Sequence, residues 1–135
     1  MSVSPRLPLM IVDDDDDLRD ALADIMTAQG YEVAAFADAR AALAALEEGM
    51  TPFLILLDLM MPGMSGWEFR AAQLENPTLA GIPVVLVTAA GNLSDAARTL
   101  WSVEVLRKPF SLEILLPVVA RYAATPRAHS GPLAD

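Results

Sequence analysis

The sequence predicts a doubly wound α/β fold, a five-stranded parallel sheet with helices on both faces. Three observations carry this. The run Phe53-Leu54-Ile55-Leu56-Leu57 is apolar at every position and too short for a typical helix, which marks a strand buried on both faces. Four more short strand-like runs occur at 7–12, 31–36, 83–87 and 103–106. Between the runs lie segments with helical spacing and capping residues, as the crossovers of a parallel sheet require.

Taken in order, the run 7–12 stops at Asp13-Asp14-Asp15-Asp16-Asp17. Leu18, Ala21, Leu22, Ile25 and Met26 then recur three and four apart, as on one helix face, and Gly30 is placed to end that helix. Asp16 or Asp17 would cap it and complement its dipole. After the second strand, Asp38 opens an alanine-rich helix carrying Leu43 and Leu46 until Gly49. The third strand ends abruptly at Asp58, and Pro62 and Gly63 break the chain beyond it. Ser65-Gly66-Trp67-Glu68 has the pattern of a capping box and starts a third helix, through Leu74, that Asn76-Pro77 ends. The fourth strand closes at Thr88-Ala89-Ala90-Gly91, and a weak fourth helix is expected over 94–100. The fifth strand ends at Arg107-Lys108-Pro109. Ser111 caps a fifth helix with Leu112, Leu115, Leu116, Val119 and Tyr122 on its apolar side, and Pro117 should kink it. Residues 125–135 have no periodicity and read as a disordered tail or linker.

Composition bounds the function. The 135 residues suit one domain with a real core, and 54% hydrophobic content supports that. The absence of cysteine excludes disulfides and thiolate metal sites. A net charge of -9 argues against direct nucleic-acid binding, which needs a basic footprint. Mean hydropathy is positive, yet the uncharged tract 79–94 is broken by Gly81, Pro83, Gly91 and Asn92, and no apolar run nears the roughly 18 residues of a membrane span. Without a signal-peptide pattern at the start, a cytoplasmic, soluble protein is expected.

In a flavodoxin-like strand order, 2-1-3-4-5, the ends of strands one and three are neighbours at the switch point where such sheets place their chemistry. The strand ends then carry Asp13 with Asp14, Asp58, Thr88 and Lys108, whereas the edge strand ends in Phe36-Ala37. Three carboxylates at one sheet edge repel one another, and a hard divalent cation with oxygen ligands relieves that. Magnesium fits best, since it accepts one or two carboxylates plus waters and a phosphate. One carboxylate can then attack phosphorus to form an aspartyl phosphate, with Thr88 and Lys108 supplying a hydroxyl and a cation to the phosphoryl oxygens.

These residues resemble the receiver domains of two-component response regulators, the CheY-like family. Val12-Asp13-Asp14-Asp15, Leu57-Asp58-x-x-Met61-Pro62-x-x-x-Gly66, Val87-Thr88-Ala89 and Lys108-Pro109-Phe110 stand in the family's order and near its spacing. The resemblance implies a receiver domain over 1–124 in which Asp58 accepts a phosphoryl group from a histidine kinase or a histidine phosphotransfer protein. It further implies that Asp14 and Asp58 bind Mg2+ directly and Asp13 through water, that the backbone carbonyl of Met60 completes the protein ligands, and that the Lys108-Pro109 bond is cis. Thr88 and Lys108 would contact the phosphoryl group. The output would be altered binding to an effector protein, or self-association through the face of helix four, strand five and helix five. No DNA-binding or catalytic output region is expected in the tail, and the only catalysis expected is of the domain's own phosphorylation and dephosphorylation.

The chain departs from the family pattern in places. Val105 stands where an aromatic switch residue is common, and Trp101 where a small residue is common. Met60 and Ala90 are apolar where many relatives carry polar side chains, which suggests slow intrinsic dephosphorylation. Trp67 and Trp101 read as packing residues. His129, the single histidine, lies in the tail, which removes Ser-His-Asp catalysis and any His-cluster metal site. Two other readings compete: a haloacid-dehalogenase-like phosphatase using Asp13 with Asp15, and a pseudo-receiver that is never phosphorylated.

Overall fold

The computed structural model describes residues 7–89 and 104–124. Its elements are β1 (Leu9–Val12), α1 (Asp16–Ala28), β2 (Val33–Phe36), α2 (Ala39–Glu47), β3 (Leu54–Asp58), α3 (Gly66–Glu75), β4 (Val84–Thr88), β5 (Glu104–Arg107) and α4 (Leu112–Ala124). The strands form one parallel sheet in the order β2-β1-β3-β4-β5, as the sequence predicts. The expected helix over 94–100, Ala90, Trp101 and the tail 125–135 lie outside the described residues.

The apolar runs form strands because both of their faces are covered. Side chains alternate between two cores. Met10, Val12, Ile55, Leu57, Val84 and Leu86 pack with Ala39, Ala42 and Leu46 of α2 and Phe69 of α3. Leu9, Ile11, Leu54, Leu56, Val85 and Val87 pack on the other face with Leu22 and Met26 of α1 and Leu115, Val118 and Val119 of α4. Every residue of β1, β3 and β4 is buried, and each buried Leu, Ile or Val contributes about 1.5–3 kcal/mol. A sheet covered this way leaves its carboxyl edge as the place for polar groups. Among the described residues Asp13, Asp58 and Thr88 are buried there.

Helix ends follow local chemistry, with one correction. Asp15, and neither Asp16 nor Asp17, caps α1: its backbone is extended and its Oδ1 accepts from the Leu18 amide at 3.1 Å. The chain uses Asp13 and Asp14 in the loop leaving β1, so Asp16 and Asp17 already lie in the first helical turn, where their charge suits the dipole. Gly30 and Gly49 take φ of +99° and +116° just past α1 and α2, and the amides of Tyr31 and Met50 donate back to Met26 and Ala45. At α3 the capping box is complete: Glu68 N donates to Ser65 Oγ and Ser65 N to Glu68 Oε1.

Near the carboxyl end two details shift. β5 extends one residue further than expected, so Arg107 closes it and Lys108 follows directly. In α4 the buried stripe starts at Leu115, while Leu112 in the first turn is exposed. Pro117 faces solvent and α4 continues through it to Ala124.

Candidate functional site

β1 and β3 are hydrogen-bonded neighbours, with Val12 beside Leu57, so the first residues past Val12 meet the last residue of β3. Asp13 is 3% exposed and Asp58 5%, while Asp14 is open to solvent. A carboxylate oxygen from each of Asp13, Asp14 and Asp58 lies within 4.8 Å of the others. The set is all oxygen and like-charged, which is the donor chemistry of a hard divalent cation.

Each buried carboxylate is held by a backbone amide. Asp15 N donates to Asp13 Oδ1 at 2.9 Å, and Met60 N to Asp58 Oδ1 at 3.3 Å. Lys108 enters from the far side of the sheet. Its backbone amide donates to the Thr88 carbonyl at 2.8 Å, which ties the end of β5 to that of β4. Its Nζ then lies 3.0 Å from Asp13 Oδ2 and 3.7 Å from Asp58 Oδ2. The Lys108-Pro109 peptide is cis, as the family resemblance implies.

The electrostatics follow from this packing. Burial, and next the charge of Asp13, push the Asp58 carboxyl up to about 6, against the opposing pull of Lys108 and the Met60 amide. Burial pulls the Lys108 ammonium down, but its hydrogen bond to Asp13 and the charges of Asp58, Asp13 and Asp15 outweigh that and hold it above the usual lysine value. The ammonium is therefore charged, and Asp58 is a carboxylate that gains from any further cation.

Of the residues named from sequence, Asp13, Asp14, Asp58 and Lys108 form one directly connected group. Thr88 is buried at the end of β4, one residue past the Val87 that pairs with Asp58. Met60, two residues past Asp58, is 60% exposed. Val105 is half-buried and packs against the core beneath α2 and α3, so no aromatic ring stands at that position. Asp15, the acid partner in the phosphatase reading, has its carboxylate engaged in capping α1.

Gly66 explains why the chain after Asp58 turns so tightly. Its amide donates to Leu59 O at 2.9 Å, and a Cβ there would stand 2.6 Å from the Asp58 carbonyl oxygen and 2.7 Å from Leu59 Cα. Only glycine lets α3 start against the backbone of the site.

The sequence did not reveal Arg19. It lies in the first turns of α1, where Nη1 donates to the Asp13 carbonyl at 2.9 Å and Nη2 to Asp16 Oδ1 at 2.6 Å. The Asp16/Arg19 spacing of three was a readable signal for the second contact. Nothing local signalled the first.

Comparison with known proteins adds to this geometry. A family model for the response regulator receiver domain matches residues 9–120. The DNA-binding response regulator MtrA of Mycobacterium tuberculosis is 34% identical over 120 residues, covering 86% of this chain and 50% of MtrA. The chain thus spans about half the length of that relative. A receiver domain of a signal transduction histidine kinase from Syntrophus aciditrophicus superposes with a TM-score of 0.78 at 28% identity, covering 95% of this chain and 98% of that one. The response regulator TrrA of Thermotoga maritima, solved in complex with Mg2+ and BeF, superposes with a TM-score of 0.75 at 25% identity, covering 86% of this chain and 98% of TrrA. Among the described residues no helix is long and apolar enough to cross a membrane.

Proposed function

The chain belongs to the response regulator receiver family of two-component signalling, and on that footing we propose that Asp58 is its phosphoacceptor, acting with Mg2+. One observation carries this reading: the buried Asp58 carboxylate is fixed through Oδ1 by the Met60 amide, while Lys108 faces its Oδ2 and two further carboxylates lie within 4.8 Å.

Asp14 and Asp58 would hold the ion directly, Asp13 through water, and the Met60 carbonyl would complete the protein ligands. When bound, the ion neutralises charge building on the phosphoryl oxygens. The residues of this chain do the rest. An Asp58 oxygen attacks the phosphorus of a phosphohistidine; the P–O bond forms as the P–N bond breaks, and the departing imidazole nitrogen keeps the electron pair. Lys108 and Thr88 bind the phosphoryl oxygens, the lysine as a point charge.

The donor is a histidine kinase or a histidine phosphotransfer protein, met in the cytoplasm. The domain occupies 1–124, with 125–135 as tail or linker, and catalyses only its own phosphorylation and dephosphorylation. Its output is a shift between two packings of the loops around the site that changes binding to an effector or to a second copy. The face for this includes β5 and α4; the segment 94–100, expected to belong to it, lies outside the described residues. With Val105 in place of an aromatic ring, the readout runs through other residues. The -9 net charge supports a domain that does not itself touch nucleic acid.

Intact-mass measurement after incubation with acetyl phosphate and MgCl2 tests the reading. Wild type gains one labile phosphate and Asp58→Asn gains none. A phosphate lost only in Asp13→Asn would point to the phosphatase chemistry instead, and no gain in wild type to a pseudo-receiver.

A further inference from the structure

We infer that Arg19 is a positioning residue for the cation site, a guanidinium clamp that fixes the peptide between Asp13 and Asp14 and so sets divalent-ion affinity. The inference rests on the site reading above, in which Asp14 and Asp58 hold Mg2+.

The two tips of the fork take partners on either side. Nη1 donates to the main-chain carbonyl of Asp13 at 2.9 Å, and Nη2 to Asp16 Oδ1 at 2.6 Å. The Arg19 side chain is only 15% exposed although its partner Asp16 is 76% exposed, so the arginine folds inward over the loop while Asp16 anchors it from outside. Because a peptide unit is planar, holding the Asp13 carbonyl also holds the nitrogen and Cα of Asp14, from which that carboxylate projects. Asp13 has its own side-chain restraints from the Asp15 amide and Lys108. Asp14 is solvent-exposed, and the clamp restrains its backbone.

Two effects of Arg19 oppose each other. Its charge repels an incoming cation, but the Asp16 carboxylate 2.6 Å from Nη2 offsets much of that charge. Its geometry orders in advance the loop of Asp13 and Asp14 ahead of α1, whose like-charged carboxylates would otherwise spread apart. Groups that orient metal ligands from behind are worth about 10–100-fold in metal affinity. Geometry therefore dominates, and removing Arg19 weakens binding even though it removes a positive charge.

Calorimetric titration of the purified chain with MgCl2, without phosphodonor, tests this. Arg19→Gln should lose about ten-fold in Mg2+ affinity. Arg19→Lys keeps the charge but cannot span both partners, and should stay close to Arg19→Gln. Unchanged or tighter binding in Arg19→Gln overturns the clamp, as does full recovery in Arg19→Lys. If thermal melting shows that Arg19→Gln does not fold, the Arg19→Lys titration decides. Failure of wild type to bind Mg2+ overturns both the cation site and the clamp, whereas normal wild-type binding with an indifferent Arg19→Gln overturns the clamp only.

Discussion

The ammonium of Lys108, in the loop after β5, donates to Asp13 Oδ2 at 3.0 Å across 95 residues of sequence. It thereby offsets the repulsion that Asp13 and Asp58 exert on each other at the edge of the sheet.

Removing that ammonium leaves two buried carboxylates with less compensation. Lys108→Met is expected to destabilise the metal-free protein by about 2 kcal/mol at neutral pH. The deficit should shrink as the pH falls toward about 6, because without the ammonium Asp58 takes up its proton at a higher pH than in wild type, and should level off below that. Urea denaturation at several pH values measures it, and a deficit independent of pH would count against the arrangement.

Asp58 itself gives a second pH signature. Its folded carboxyl titrates at about 6 against an ordinary value of 3.8, so between these the folded state binds more protons than the unfolded chain. The stability this contributes is complete below 3.8 and is lost as pH rises through about 6. In EDTA, Asp58→Asn, which cannot ionise, should be more stable than wild type at about pH 8 by on the order of 2–3 kcal/mol. The gap should close toward about pH 4, and MgCl2 should narrow it from the alkaline side by stabilising wild type. Thermal melting across that range reads the outcome.

The architecture and most of the site were legible because their signals are local. An all-apolar run ending in one polar residue reads as a buried strand with a functional end, and Asp58 and Thr88 are each of that kind. The cap of α1 was not, since five identical acids in a row give no local reason to choose Asp15 over Asp16. Nor were the buried polar residues of α3. Gln73 donates to the carbonyls of Leu79 and Ile82 and accepts from Arg70, and those partners depend on how the turn after α3 folds back. Periodicity assigns such residues to solvent. The Arg19 contact with the Asp13 carbonyl was hidden for the same reason, being a property of the loop's path.

Gly66 offers a test in which two principles predict opposite signs. Helix propensity favours Ala over Gly by about 1 kcal/mol. The added Cβ would, however, meet backbone at 2.6 and 2.7 Å, where nothing flexible can yield. Gly66→Ala is expected to cost about 2–3 kcal/mol and to impair phosphorylation by displacing the end of β3. Gly81→Ala, with nothing within 4 Å of the added carbon, serves as control and should be near neutral. Equal melting temperatures for the two variants would refute the close approach.

Met60, two residues past Asp58, is 60% exposed and offers an apolar side chain that cannot orient water. Met60→Asn should shorten the lifetime of the acyl phosphate several-fold while leaving stability within about 0.5 kcal/mol. Following phosphate release after removal of the donor checks the first part, and an unchanged lifetime rejects it.

The most direct test of the central claim is to locate the phosphate chemically. After phosphorylation with acetyl phosphate and MgCl2, borohydride reduction converts an aspartyl phosphate to homoserine, which peptide mass spectrometry can place in the sequence. Homoserine is expected at position 58, dependent on Mg2+; homoserine at position 13 or 14 instead, or none anywhere, would contradict Asp58 as the phosphoacceptor.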